Sequence, residues 1–394
     1  MLIAIPAAAL TVATLLLGAL WLLIASALKR RRPGAWWRLL RWHALLLLLH
    51  AFVTLPVGLA AIAPWFVDTR GDERSYAGPR FAADGTWELQ SRESLAQERA
   101  ARSAGAPLAE RSPYEVAVQA RDGATLRGFH VLPKTGAPRF QALLVHGLFR
   151  GALELETAAS MLRELGGEVL LLELRRHGGS ERRRFTYGRD EVDDVLGGVD
   201  WLRGDRARGD RASSERSDRG DGQRGDDSAP ATASDPTREP PLLLFAVSIG
   251  TAAAARAAPQ IERLAALVLD APMDDLRATA ERMLAGGEGR GGAIAEPFRW
   301  ILLSAGQLLG TLPFDEVRPA ESLRALDPQV RVLLIGAGDD TRMPPVSVES
   351  LFAALPTAAD RKQLWICPGA KHGHVWSHDP ATYRARLAAL TLHL

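Results

Sequence analysis

The chain has 394 residues, 47% of them hydrophobic, and its 48 basic and 46 acidic side chains leave a formal net charge of +2. That supports one large core or several small ones, and the near-balance of charge lacks the basic excess expected of a nucleic-acid-binding chain. The single cysteine, Cys367, excludes an intrachain disulfide framework and a cysteine zinc site.

Residues 2–28 carry no charged side chain, and an uncharged apolar run of this length can cross the hydrocarbon core as a helix. The basic stretch "KRRRPGAWWRLLRW" follows, and residues 43–67 are apolar again, interrupted by His50, Pro56 and Gly58. Trp21, Trp36, Trp37, Trp42 and Trp65 lie in or beside these runs, where indoles favour the membrane–water boundary. Ala25-Ser26-Ala27 resembles a signal-peptide cleavage site, but the basic residues follow the apolar core instead of preceding it. Residues 1–67 therefore read as an uncleaved transmembrane hairpin of two helices, about 2–28 and 43–67. The basic connector belongs on the cytoplasmic side, which puts everything after residue 68 on the non-cytoplasmic side of a bacterial-type cell membrane.

Residues 68–112 read as a polar, alanine-rich connector with one helix around 90–102. The texture then changes. "YEVAVQARDGATLRGFHVLP" alternates apolar and polar residues on both sides of Asp122-Gly123, which predicts a hairpin. "FQALLVHGLFRG" and "EVLLLELRRHGGSE" read as buried strands ending in polar turns, with a helix over "TAASMLRELGG" between them. In the stretch 188–204, Val192, Val195, Leu196, Val199 and Leu202 recur at helical spacing. Residues 204–240 are almost free of apolar side chains. They cannot bury enough surface to offset ordering entropy, so a disordered charged insertion is expected there.

Beyond it, strands are expected at 242–247, 264–272, 330–340 and 362–370, and helices at 249–258, 346–355 and 380–393. The mixed helical stretch 274–326 is a possible small lid. Apolar strands alternating with helices predict an α/β fold whose mostly parallel sheet is covered on both faces. In such sheets ligands bind beyond the carboxyl ends of the strands. The residues at those ends include His146, Gly147, Leu148 and Phe149, then Arg175 to Ser180, Ser248, Asp270, Asp339 and Asp340, and His372 and His374. A serine, an acid and a histidine emerge at one edge in that chain order. A serine hydroxyl needs a base to take its proton; an imidazole does so near neutral pH, and an acid fixes its tautomer.

From about residue 113 to 394 the chain resembles the α/β-hydrolase superfamily, and is most similar to its serine-aminopeptidase-like and membrane-anchored branch. The resemblance rests on "LLVHGLFRG", "LELRRHGGSE", "YGRDEVDDVLGGVDWL", "AVSIG", "GAGDDTRMPP" and "CPGAKHGHV". It implies that Ser248 is the nucleophile, with the backbone of Ile249 as one oxyanion donor and that of Leu148, or alternatively Phe149, as the other. The acid is Asp340, on the D-x-x-x-P spacing, with its neighbour Asp339, which counting from Gly336 favours, the alternate. "GAKHG" selects His372 as the base, with His374 the alternate. His146 and His177 are assigned structural roles.

No metal or organic cofactor is implied. The resemblance implies a serine hydrolase cleaving an ester, thioester or amide of a small-molecule or lipid-like acyl substrate, esterase-like or lipase-like by preference. A serine peptidase of the same fold and a non-catalytic binding module at the membrane are the other readings. Three positions depart from the pattern: Ala246 replaces the first elbow glycine, Arg176 a usual glycine, and Glu173 a usual aspartate. The first needs only a small side chain; the other two are expected to alter the pocket rim.

Overall fold

The computed structural model describes residues 35–66, 76–90, 112–218, 239–285 and 299–394, with Gly18, Leu20 and a few positions within 93–100. The chain divides into two compact units. One holds Val67–Asp275 and Val317–Leu394; the other holds Met1–Phe66 and Leu276–Glu316.

The first unit is built on an 8-stranded sheet. Strands β1 (Glu115–Gln119) and β2 (Thr125–Val131) pair antiparallel in the register Glu115↔Phe129 to Gln119↔Thr125. Their turn holds Gly123 at φ +82°, and Asp122 Oδ1 accepts the Ala124 N–H at 3.2 Å, the local side-chain bond that makes Asp-Gly a turn. Next come β3 (Phe140–Val145), helix α1 (Glu156–Glu164) and β4 (Gly167–Leu172), then helix α2 (Glu191–Asp218) and β5 (Leu242–Val247). Helix α3 (Gly250–Ala257) leads to β6 (Leu264–Asp270), and α4 (Pro319–Leu323) precedes β7 (Arg331–Ala337). Helix α5 (Pro345–Ala354), β8 (Lys362–Cys367), α6 (Val375–His378) and α7 (Pro380–Thr391) complete the chain.

The spatial order is β8-β7-β6-β5-β3-β4-β2-β1. Within this sheet, among the described residues, only β1 with β2 and β2 with β4 pair antiparallel. Every residue of β3, β4 and β5 is buried, which is why these strands read as mainly apolar runs instead of alternating ones. The chain order reverses around β3, so the turns after β3 and β5 open side by side.

Helix α2 does not stop at residue 204 but runs on to Asp218, into the charged segment. Extending a helix that tertiary packing has already nucleated is far easier than starting one, so the first part of this segment needs no apolar face of its own. Residues 219–238 of the insertion lie outside the described residues.

In the second unit a single long helix covers Ala35–Leu49 and Leu55–Phe66, joined by a π-helical turn at His50–Thr54. Pro56 has no N–H to offer the carbonyl four residues back, and the widened turn sits immediately before it. Thr54 Oγ1 lies 2.6 Å from His50 Nδ1 and donates to the His50 carbonyl at 3.1 Å. The helix therefore begins within the stretch expected to be the basic connector. Its stretch Arg41–Ala60, 20 residues long, is apolar enough to cross a membrane and about 30 Å long. It is the one such helix among the described residues, where the sequence suggested two. Of the first apolar run only Gly18 and Leu20 are described, both helical, and Gly18 lies against the His43 ring.

The expected lid segment is likewise divided. Helices Leu276–Leu284 and Arg299–Leu308 belong to the unit of the long apolar helix, while α4 belongs to the unit of the sheet. The helix Arg299–Leu308 packs on Leu55–Phe66 and leaves Trp300 and Leu308 exposed. Residues 286–298 lie outside the described residues, as does most of the connector helix expected at 90–102.

Candidate active site

Strand β5 delivers Ser248 to the carboxyl edge of the sheet, and α3 starts two residues later. Ser248 takes φ +53°, a left-handed backbone that is uncommon without glycine. Fixed partners hold it there. Its N–H donates to the Asp270 carbonyl at 2.8 Å, and its carbonyl accepts the Thr251 N–H at 2.9 Å. The Thr251 hydroxyl also donates to the Ser248 carbonyl.

The two flanking positions answer different demands. Ala246 is fully buried between Val145 of β3 and Leu269 of β6, and one methyl fits. At Gly250 a Cβ would sit 2.3 Å from the His146 carbonyl oxygen. There the elbow crosses the neighbouring turn so closely that only glycine fits.

Ser248 Oγ lies 2.8 Å from His372 Nε2, and His372 Nδ1 lies 2.6 Å from Asp340 Oδ2. The other Asp340 oxygen accepts the N–H groups of Arg342 at 2.9 Å and Met343 at 3.0 Å. A carboxylate so engaged is an acceptor, so the Nδ1 nitrogen carries the proton and Nε2 accepts from the Ser248 hydroxyl. The Asp340 side chain is 0% exposed and that of His372 16%. Asp339 is exposed; its N–H ties the turn to the Ala370 carbonyl at 2.9 Å, and its side chain makes no bond to His372. His374 is exposed at the start of α6 and takes no part in this hydrogen-bonded line.

Opposite Ser248 lies the turn after β3. His146 is buried; its Nε2 accepts the Leu174 N–H at 3.0 Å, so its Nδ1–H donates to the Gly147 carbonyl at 2.7 Å. Burial pushes the imidazole pKa down, and it serves as a fixed brace. The Gly147 N–H is taken by Glu154 Oε2 at 2.6 Å. Among the described residues no hydrogen bond ends on the N–H of Leu148, Phe149 or Ile249. Leu148 is half-buried, whereas Phe149 is exposed at φ +58°.

The second polar turn is scaffolding. Glu173 is not on a pocket rim: it is completely buried and bound through both oxygens by Arg127, at 2.7 and 2.9 Å. It also accepts the Gly179 N–H at 2.8 Å. Arg176 is buried too, at φ +67°, so it adopts the left-handed backbone for which glycine is the usual choice. His177, buried with its ring tilted 4.8 Å from that of His146 and edge-on 4.9 Å from that of Phe185, has its pKa depressed by burial. Arg175 is clamped by Asp194 on α2 at 2.7 Å and by Asp122 of the first hairpin at 2.9 Å.

Three polar residues near the site carry no motif of their own. Glu154 follows the β3 turn, Asp270 ends β6, and Tyr383 of α7 donates its hydroxyl to Asp270 Oδ2 at 2.8 Å. Asp270 was visible as a strand-end acid; nothing in the sequence linked it to a tyrosine 113 positions away. Among the described residues no group of three or more His, Cys, Asp or Glu side chains is arranged to hold a metal ion.

No protein-family model and no curated protein matches the chain. Solved structures do. The Pyrococcus furiosus esterase Pf2001 superposes with a TM-score of 0.52 at 16% identity, covering 70% of this chain and 89% of its own. DcsB, solved in complex with its substrate analogue, superposes with a TM-score of 0.50 at 18% identity, covering 71% of this chain and 99% of its own. At such identities the likeness is one of fold. The unit that carries the 8-stranded sheet has the α/β-hydrolase fold.

Proposed function

We propose that the protein is a membrane-anchored serine hydrolase that cleaves an ester, thioester or amide through an acyl-serine intermediate. The observation that carries this reading is the unbroken line from Ser248 Oγ through His372 to the buried Asp340 carboxylate, starting at a strained elbow. In the reaction Ser248 Oγ attacks the acyl carbon while its proton moves to His372 Nε2. The N–H groups of Ile249 and Leu148 receive the oxyanion. The imidazolium, held by Asp340, then gives its proton to the leaving oxygen, sulfur or nitrogen as the acyl bond breaks. A water deprotonated by the same nitrogen hydrolyses the acyl-serine, and the proton returns to Ser248.

An ester of a lipid-like acyl chain is the preferred substrate. Supporting this are the apolar helix Arg41–Ala60 and the exposed Trp300 and Leu308 beside it in the same unit, together with the esterase activity named for the superposable Pyrococcus protein. In this reading residues 2–28 pair with the long helix as a hairpin, and the catalytic unit lies on the non-cytoplasmic side.

The test is hydrolysis of a panel of p-nitrophenyl esters and aminoacyl amides by the full chain in detergent. Turnover should be highest on medium or long acyl esters and be lost in Ser248→Ala; turnover confined to aminoacyl amides would replace the esterase reading by a peptidase one. For topology, an alkaline phosphatase fusion after residue 75 should be active, and an inactive one would reverse the orientation.

A further inference from the structure

A second buried acid stands behind the serine–histidine–aspartate line. Asp270 closes β6, and its backbone carbonyl is the acceptor that holds the Ser248 N–H. Its side chain lies within the core, 1% exposed. Oδ2 accepts the Tyr383 hydroxyl, while Oδ1 has no hydrogen-bond partner among the described residues. The side chain borders a small cavity together with Glu154, Gly373, Trp376 and Tyr383. Gly373 follows His372 directly, and Glu154 is bonded to the turn that carries Leu148. The cavity is thus lined by the residue after the base and by the side chain that holds the oxyanion turn. A buried carboxylate with an open oxygen is costly to a fold, and the reaction as written uses neither oxygen.

We propose that Asp270 is a positioning residue of this reaction, acting through its charge on the His372 imidazole, so that the enzyme has a weaker state with Asp270 protonated and a stronger one with it ionised. The proposal rests on the serine-hydrolase reading above. The groups that act on Asp270 electrostatically are His372 on the loop after β8, Tyr383 on α7, Glu154 after the β3 turn, Asp340 after β7 and Cys367 on β8. Burial raises its pKa to about 7; the Tyr383 hydroxyl and His372 work against that rise, and Glu154 and Asp340 add to it. An ionised Asp270 favours the imidazolium that forms when Ser248 gives up its proton, so kcat increases as Asp270 loses its own proton.

The experiment is the pH dependence of kcat for the full chain in detergent on one p-nitrophenyl ester. Wild type should show two ascending ionisations, one of them near 7. Asp270→Asn should show one, with a plateau lower by on the order of tenfold. Tyr383→Phe keeps the carboxyl but removes a bond that favours its ionised form, so the limb near 7 should move to higher pH. Profiles of unchanged shape in Asp270→Asn would overturn the proposal, as would an unmoved limb in Tyr383→Phe, which remains decisive if the asparagine variant does not fold. A chain whose hydrolysis survives Ser248→Ala would instead remove the reading beneath it.

Discussion

Two adjacent aspartates differ completely in surroundings. Asp340 is sealed from water, with one oxygen on His372 and the other on two backbone N–H groups; Asp339 faces solvent. Asp340→Asn would favour the wrong imidazole tautomer and should lower kcat by about four orders of magnitude. Asp339→Asn should stay within about threefold of wild type, as expected for an exposed side chain away from the line. Steady-state hydrolysis decides between them, and the reverse ranking would move the acid to Asp339. Asp270 makes a separate prediction about stability. Burial raises its pKa from 3.8 to about 7, so the folded chain keeps a proton that the unfolded chain has released. That contribution is complete below the unfolded pKa and is lost as pH rises through the folded one. The Tm of Asp270→Asn relative to wild type should therefore rise between about pH 4 and about pH 7 and level off above that; a pH-independent difference would contradict the shift. Motif spacing brought Ser248, His372 and the aspartate pair into view in the sequence. It favoured Asp340 over Asp339 only through the D-x-x-x-P spacing, because the choice depends on which carboxylate the turn after β7 directs inward.

The strand–turn–helix around Ser248 is where sequence pattern and geometry can be compared most closely. Its strand was legible because a fully buried parallel strand is a continuous apolar run bounded by turn residues. The departure at Ala246 is tolerated since a methyl fits between β3 and β6, whereas the Gly250 position abuts the His146 carbonyl. Gly250→Ala should destabilise the fold by about 3 kcal/mol, and Ala246→Gly by about 1 kcal/mol while keeping activity. Equilibrium denaturant unfolding measures both, and equal losses would show that the two flanks are equivalent. Other elements were legible only in part. The run of α2 to Asp218 and the continuous helix through Pro56 both contradict local composition; helix continuation and a π-helical turn account for them. The Glu173–Arg127 pair and the Asp270–Tyr383 bond join residues 46 and 113 positions apart. Contacts of that kind depend on how the sheet is assembled, which no local pattern encodes.

The whole chain combines an α/β-hydrolase fold with a unit whose long helix exposes Trp42, Leu45, Leu48 and Phe52. In the proposed reading that apolar surface is covered by lipid, so the full chain should remain in the membrane pellet after alkaline carbonate extraction and require detergent for release; release by carbonate alone would contradict anchoring. The central claim is chemical, and active-site labelling tests it most directly. The full chain in detergent should react with a fluorophosphonate probe, the adduct should map to Ser248 by peptide mass spectrometry, and Ser248→Ala should leave the chain unlabelled. Labelling of the alanine variant equal to wild type, or a wild-type chain that is folded yet unreactive, would contradict the serine-hydrolase account.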